Sequence, residues 1–185
     1  MHVRGILSFC MSASVAAAPA LREQLAALHG ESFAWAVVCW GRDEAGAEDV
    51  LQVTYLKILQ GRACFDGRSA FKTWLFGVIR LTAWEERRRA WWWGRRRAPE
   101  EAAWDHASDG AAPDDAAGRG EVRARVRAAC AELPQRQRQT LLLVFHHELS
   151  LDEAAKVMGI SPGSARKHYQ RGKEQLRREL SNLLE

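Results

Sequence analysis

Apolar residues recur along this chain at helical spacing and hardly ever alternate. Ala47, Val50, Leu51, Thr54 and Ile58 fall at i, i+3, i+4, i+7 and i+11, so a helix over residues 47–60 is predicted with that face in a core. Before it, residues 33–40 read FAWAVVCW, short and almost wholly apolar, which predicts a central buried helix ended by Gly41 and Asp43. Gly61 and Gly67 bracket a loop. Phe71, Trp74, Leu75 and Val78 then mark the inward face of a third helix, with Lys72, Thr73 and Arg80 off it. A fourth is predicted over residues 82–93, running into three consecutive tryptophans amid two arginine clusters, Arg87, Arg88, Arg89 and Arg95, Arg96, Arg97.

The last third of the chain is punctuated more sharply. A helix over residues 121–132 is predicted to stop at Leu133-Pro134, and residues 135–149 to form the next, with the apolar run 141–145 largely buried. Ser150 followed by Glu153 is a capping box, in which each residue can satisfy an otherwise free amide of the other. The helix it opens is short, about residues 151–158, and Gly159 closes it. Ser161-Pro162 starts the final helix, with Ser as cap and Pro at the first position, where its missing N–H costs nothing. Two helices joined by a tight Gly-containing turn form a helix-turn-helix. Ala155 is small where the helices cross, and Ile160 plugs the turn. Ala165, Tyr169, Leu176 and Leu180 form the inward stripe of the final helix. Ser164, Arg166, Lys167, Gln170 and Arg171 are left for solvent or a major groove.

Composition adds the organisation. Strand-forming runs are scarce while Ala, Leu, Arg and Glu dominate, so the fold class is all-α. Residues 98–118 break the helical pattern: they hold eight Ala, Pro99, Pro113, Gly110, Gly118 and six acids, with no Lys or Arg. This predicts two small helical domains joined by a flexible acidic linker. The boundaries are 1–19 for a leader, 20–97 for the first domain, 98–120 for the linker and 121–185 for the helix-turn-helix domain. The leader loosely imitates a secretory signal, but Ser8, Ser12 and Ser14 interrupt its apolar run, and Met11 offers a second start.

Charge sharpens the picture. The net charge of +4 hides a division: without the six linker acids the balance is 27 bases to 17 acids, or +10, and 22 of the bases are Arg. Residues 166–178 carry six bases and one acid, enough for phosphate contacts flanking base readout. The stretch 87–97 has six Arg, three Trp and no acid. Arginine beside tryptophan can grip single strands, but a helix end whose tryptophans cover the core while the arginines stay wet is the expected arrangement for the indoles.

Other chemistries find little support. Cys10, Cys39, Cys64 and Cys130 form no C-x-x-C pair and lie far from any His at ligand spacing, so reduced thiols in a cytoplasmic protein are expected, with no metal and no cofactor. His146 and His147 are adjacent on a helix and cannot face one ligand together. Glu48, Asp49 and Gln52 make a small acidic-polar patch open to three readings: a solvated face, catalytic carboxylates or a protein-docking surface. No nucleophile–base set and no phosphate-cradling Gly-rich loop assembles, so catalytic residues are expected to be none. Two classes stay open on the residues alone: a stand-alone helix-turn-helix regulator binding duplex DNA, and a metal-dependent nuclease or nucleotidyl-transfer enzyme.

Residues 47–52 (AEDVLQ), 71–76 (FKTWLF), the run from Leu133-Pro134 to Ser150 and the helix-turn-helix with Gly163-Ser164-Ala165-Arg166 occur in the order found in extracytoplasmic-function (ECF) sigma factors of bacterial RNA polymerase, which this sequence resembles over most of residues 25–97 and 121–182. The resemblance implies a bacterial cytoplasmic protein that binds core RNA polymerase through the largest-subunit clamp and the −35-side flap region, and that recognises −10 and −35 promoter DNA. It implies polymerase binding by Glu48, Asp49 and Gln52, and −10 DNA binding by Lys72, Arg80, Thr82, Arg87, Arg88 and Arg89. It implies −35 DNA binding by Ser161, Ser164, Arg166, Lys167, Gln170, Arg171 and Lys173. An anti-sigma factor is a further implied partner, and no small-molecule substrate is. Gly46 and Leu81 stand where the family often carries Asp and Asn.

Overall fold

A computed structural model describes residues 18–41, 43–92, 126 and 128–181, which are helical with short connections. The chain divides into two compact units, Met1–Ala103 and Trp104–Glu185. The leader up to residue 17, the linker over 98–120, Trp93, Arg95, Arg96, Arg97 and most of the helix expected at 121–132 lie outside the described residues. Within that last stretch, 128–131 is helical.

The first unit contains α1 (Ala18–Ala27), α2 (His29–Trp40), α3 (Glu44–Leu59) and α4 (Phe71–Trp92). Helices α2, α3 and α4 all pack on one another, and α1 leans on α2. The apolar α2 lies at the centre: Trp35, Ala36, Val38 and Cys39 are buried, and the Trp35 indole stacks on Phe76 with ring centroids 5.8 Å apart. Its Nε1 donates to the Phe76 carbonyl at 3.0 Å, so the largest core side chain leaves no polar atom unsatisfied. Gly41 ends α2 with φ +119°, a conformation that only glycine adopts without strain. The expected inward face of α3 is buried at every position: Ala47, Val50, Leu51, Thr54 and Ile58.

Two expectations for this unit change. The third and fourth helices are one continuous α4 of 22 residues, because no proline or terminating glycine interrupts residues 71–92 and the hydrogen-bond ladder runs through. Its inward face is also rotated from the expected one. Thr73, Leu75, Phe76, Ile79, Thr82 and Ala83 are buried, whereas Phe71, Trp74 and Val78 are only half-buried. Phe71 and Trp74 instead form an aromatic cluster with Phe65 from the preceding loop.

The second unit contains α5 (Gln135–Phe145), α6 (Leu151–Met158) and α7 (Pro162–Ser181). Its core gathers Leu133, Leu141, Leu143, Leu149, Ala154, Ala155, Val157, Met158 and Ala165. Helix α5 stops four residues earlier than expected. After Phe145 the chain turns through His146 and His147 to Glu148 at φ +57°, which lets the Leu149 amide bond back to the Leu143 carbonyl at 2.9 Å. The run 141–145 is accordingly only partly inside: Leu141 and Leu143 are buried, but Phe145 is 62% exposed and stacks on Tyr169 of α7. Gly172, absent from the expected stripe, is buried because α5 crosses there. A Cβ at that position would sit 3.0 Å from Leu141 Cδ1 and 3.2 Å from Gln137 Cβ.

Among the described cysteines, Cys39 and Cys130 are buried thiols and Cys64 is half-buried; none is in a disulfide. Burial pushes the Cys39 thiol far above its ordinary pKa, against the opposing pull of Arg80 and Arg87, so it is held protonated. No described helix is long and apolar enough to cross a membrane.

Candidate nucleic-acid interface

The helix-turn-helix is built by its caps. The Ser150 amide donates to Glu153 Oε2 at 2.9 Å while the Glu153 amide donates to Ser150 Oγ at 3.2 Å, completing the capping box. Gly159 sits at φ +62° and Ile160 bonds back to the Ala155 carbonyl at 3.1 Å, which fixes the turn. Buried Ala155 and Ala165 let the two helices approach. Ser161 Oγ accepts from the Ser164 amide at 3.2 Å and lies 2.9 Å from the Ser164 hydroxyl, so both expected DNA-contacting serines are engaged in the cap of α7.

Beyond that cap, Arg166, Gln170 and Lys173 make one exposed row on α7, and Lys167 and Arg171 the next. Arg166 lies 3.9 Å from Asp152 of α6, both side chains well exposed, a weak pairing that leaves the guanidinium accessible. Behind these rows His168 is half-buried. Burial first, then the nearby Arg136 and Arg171 charges, hold its imidazole below the ordinary histidine value.

In the first unit, Glu48, Asp49 and Gln52 are exposed together on α3, as expected. The same face continues into exposed Leu56 and Leu59, which the sequence reading missed. Their signal was present: positions 48, 52, 56 and 59 repeat at i, i+4, i+8 and i+11 on the side opposite the core stripe. The Gly46 departure also has a structural reason. The Trp40 ring lies over it, its Nε1 reaching Asp43 Oδ2 at 3.4 Å, and a Cβ at residue 46 would meet that nitrogen at 1.7 Å. Asp43 simultaneously accepts from the Gly46 amide at 3.3 Å as the cap of α3. Gly46→Ala is expected to destabilise the first unit by about 1–3 kcal/mol through overpacking. Trp40→Ala in the same chain should recover most of that loss in a thermal melt; a double variant no better than the single one would exclude the clash as the cause.

The candidate −10 residues divide in the structure. Thr82 is corrected: it is 1% exposed, and its Oγ1 accepts from Lys57 Nζ at 3.1 Å inside the α3–α4 seam, where Glu85 also holds Lys57 at 2.6 Å. Lys72 is half-buried in an ion pair with Glu31 and sits 5.8 Å from the Phe76 ring centroid. Arg87 reaches the Cys39 carbonyl at 3.4 Å, and Arg89 pairs with Glu86 at 2.8 Å. Arg80 is half-buried. Arg88 lies over the Trp84 ring, its guanidinium carbon 4.6 Å from the centroid. The expectation that the tryptophans of residues 87–97 cover the core fails for the two that are described: Trp91 and Trp92 are 66% and 74% exposed, and Trp84, one turn earlier, is 53% exposed. No described group of three His, Cys, Asp or Glu could hold a metal ion.

Comparison with known proteins follows this division. The sigma-70 region 2 family model matches residues 31–92, and the sigma-70 region 4 family model matches residues 123–176. The RNA polymerase sigma-H factor of Pseudomonas aeruginosa is 31% identical over 154 residues, covering 80% of this chain and 80% of that protein. The ECF RNA polymerase sigma factor SigX of Bacillus subtilis is 29% identical over 146 residues, covering 78% of this chain and 75% of that one. The chain belongs to the ECF sigma factor family. This sigma factor binds core RNA polymerase and directs promoter-specific transcription initiation, recognising −10 and −35 elements. A stand-alone regulator is not favoured, because region 2 precedes region 4 in the chain. The fold is shared with the sigma factor RpoE of Bartonella quintana, solved in complex with the anti-sigma factor NepR: TM-score 0.68, 21% identity, 88% of this chain and 97% of that chain covered.

Proposed function

We propose a division of labour between named residues. Glu48, Asp49 and Gln52, extended by Leu56 and Leu59, dock the first unit on the clamp of the largest polymerase subunit. An acidic end followed by exposed apolar side chains suits a protein partner better than DNA, whose phosphates the two carboxylates would repel. Arg80, Arg87, Arg88 and Arg89, with Lys72 released from Glu31, meet the opening −10 strand. The second unit lies near the flap and reads the −35 duplex through Arg166, Lys167, Gln170, Arg171 and Lys173. Ser161 and Ser164 act there through the helix N-terminus they organise. Residues 98–120, with six acids and one Arg, connect the two halves. The protein works in the bacterial cytoplasm, uses no cofactor and has no catalytic site of its own. An anti-sigma factor restrains it, a reading supported by the complex in which its structural neighbour was solved.

The observation that carries the DNA assignment is the exposed basic row on a helix whose turn and caps fix its direction. Arg166→Ala tests it. In binding by reconstituted holoenzyme to a panel of −35 variants, discrimination should fall by about 1–3 kcal/mol at one base position and stay intact at the others. Equal weakening on every sequence would reduce Arg166 to a phosphate contact.

A further inference from the structure

Helices α2 and α4 meet in register, layer by layer. Trp35 stacks on Phe76 and donates to its carbonyl, and one turn further on, the Arg80 charge acts on the Cys39 thiol. One turn before the Trp35 layer on both helices, Glu31 and Lys72 form an ion pair. The layers beneath it hold the helices together: Trp35, Cys39 and Phe76 are buried, whereas the Glu31 and Lys72 side chains are 43% and 25% exposed. A pair this open to water adds little to stability. What it decides is how much charge Lys72 can offer to anything else.

Lys72 draws its counter-charge from another helix because its own stretch of sequence supplies none. Residues 71–84 contain no acid, the first turn of α4 included, and the one acid of the loop before it, Asp66, pairs with Arg68. Glu31 is in turn the one acid of α2. The other lysine of the first unit shows a different arrangement: Lys57 is held in the α3–α4 seam by Glu85 at 2.6 Å and Thr82 at 3.1 Å together. Lys72 instead rests 5.8 Å from the centroid of the Phe76 ring and takes the Glu31 carboxylate at the rim of the core. Exchanging that carboxylate for another anion leaves the floor under the ammonium unchanged. A phosphate oxygen offers the same charge-assisted hydrogen bond as a carboxylate oxygen, so the two compete on nearly equal terms.

We infer that Glu31 is an intramolecular competitor for promoter DNA: it occupies Lys72 in the free protein, and a strand phosphate has to displace it. The inference rests on the reading that Lys72 meets the opening −10 strand, and it adds the residue that sets the cost of that contact. The free chain thereby has its DNA affinity held down. The Lys72 contact forms where polymerase and the second unit have already raised the local concentration of the strand.

The test measures binding of a mixed-sequence single strand to the full chain, alone and as holoenzyme, over a range of salt concentrations. Glu31→Gln keeps the size and helix propensity of the side chain, and it should bind at least about threefold more tightly than wild type. Its plot of log K against log salt should steepen by about 0.7, the increment of one added phosphate contact on a single strand. Glu31→Asp, a shorter arm with the same charge, should give an intermediate gain. Lys72→Gln should cancel the gain in the Glu31→Gln chain and cost less in the wild type. Binding by Glu31→Gln that is no tighter than wild type would overturn the inference. So would a gain matched by Glu23→Gln, which removes an exposed acid of α1 and changes net charge equally. Weaker binding by Glu31→Gln would overturn it too, because Glu31 would then position Lys72 for DNA. A Lys72→Gln change without effect in either background sinks the reading that Lys72 meets DNA, whereas an equal loss in both backgrounds sinks the competitor alone. A thermal melt confirms that each variant is folded.

Discussion

Replacing Glu48, Asp49 and Gln52 together by alanine will remove the protein from core RNA polymerase while leaving it folded. All three side chains are exposed on α3, none is part of the packed face formed by Ala47, Val50, Leu51, Thr54 and Ile58, and no described residue of this chain is ion-paired to them. Their loss should therefore cost the free protein little. The two carboxylates sit near the positive end of α3, where each stabilises by about 0.3–1 kcal/mol, and alanine's helix propensity offsets part of this. Binding is a different matter. Interface energy concentrates in a few central residues, and losing two charges and an amide from one patch should weaken the complex by at least about 1.4 kcal/mol per tenfold step, over more than one such step. Co-elution of wild type beside the triple variant measures it, with a thermal melt to confirm the fold. Wild-type binding that the triple variant retains would move the docking surface elsewhere, with Leu56 and Leu59 the next residues to replace.

The largest expected effect on stability is Trp35→Ala. The indole is fully buried at the meeting of α2 and α4, stacked on Phe76 and hydrogen-bonded to its carbonyl. Removing it leaves a cavity that helices cannot close without shifting, a loss of about 3–5 kcal/mol. A small domain has about 5–15 kcal/mol in all, so a large share of the first unit's stability would go. At ~4–8 °C per kcal/mol for a unit of this size, the melting temperature of that unit should fall by more than about 10 °C. Trp35→Phe keeps a stacked ring and loses the hydrogen bond, so it should cost far less, about 1–2 kcal/mol. The unit containing α5, α6 and α7 should melt as in the wild type. A Trp35→Ala protein melting within a degree or two of wild type would mean that Phe76 and Leu75 carry the core without it.

The helix-turn-helix and α3 were legible because their signals are local. Ser150 and Glu153 lie three residues apart and satisfy each other's amides, Gly159 stands where the backbone turns left-handed, and the stripe from Ala47 to Ile58 repeats at the helical period. Such features are decided by hydrogen bonds within one turn and by side-chain direction around one axis. Nothing distant can easily reverse them. The basic character of the final helix was read from composition in the same way.

What misled the reading was whatever depended on a second element. Thr73 and Thr82 look solvent-bound by type, yet α3 covers the seam where Thr82 meets Lys57, and a threonine hydroxyl buries cheaply once it has a partner. Tryptophans are expected inside, yet Trp84, Trp91 and Trp92 lie on the side of α4 that no described helix covers. Gly46 stands where the family often carries Asp and is a gap filled by Trp40; Gly172, outside the expected stripe, is where α5 crosses. The sequence by itself determined that there are two helical units, where their caps and turns lie, and which face of α3 is core. Only the tertiary structure decided the rotation of α4 about its axis, and with it which of its aromatic and basic side chains are exposed. Helical periodicity marks a stripe, but which of two plausible stripes is buried depends on the partner surface that removes it from water.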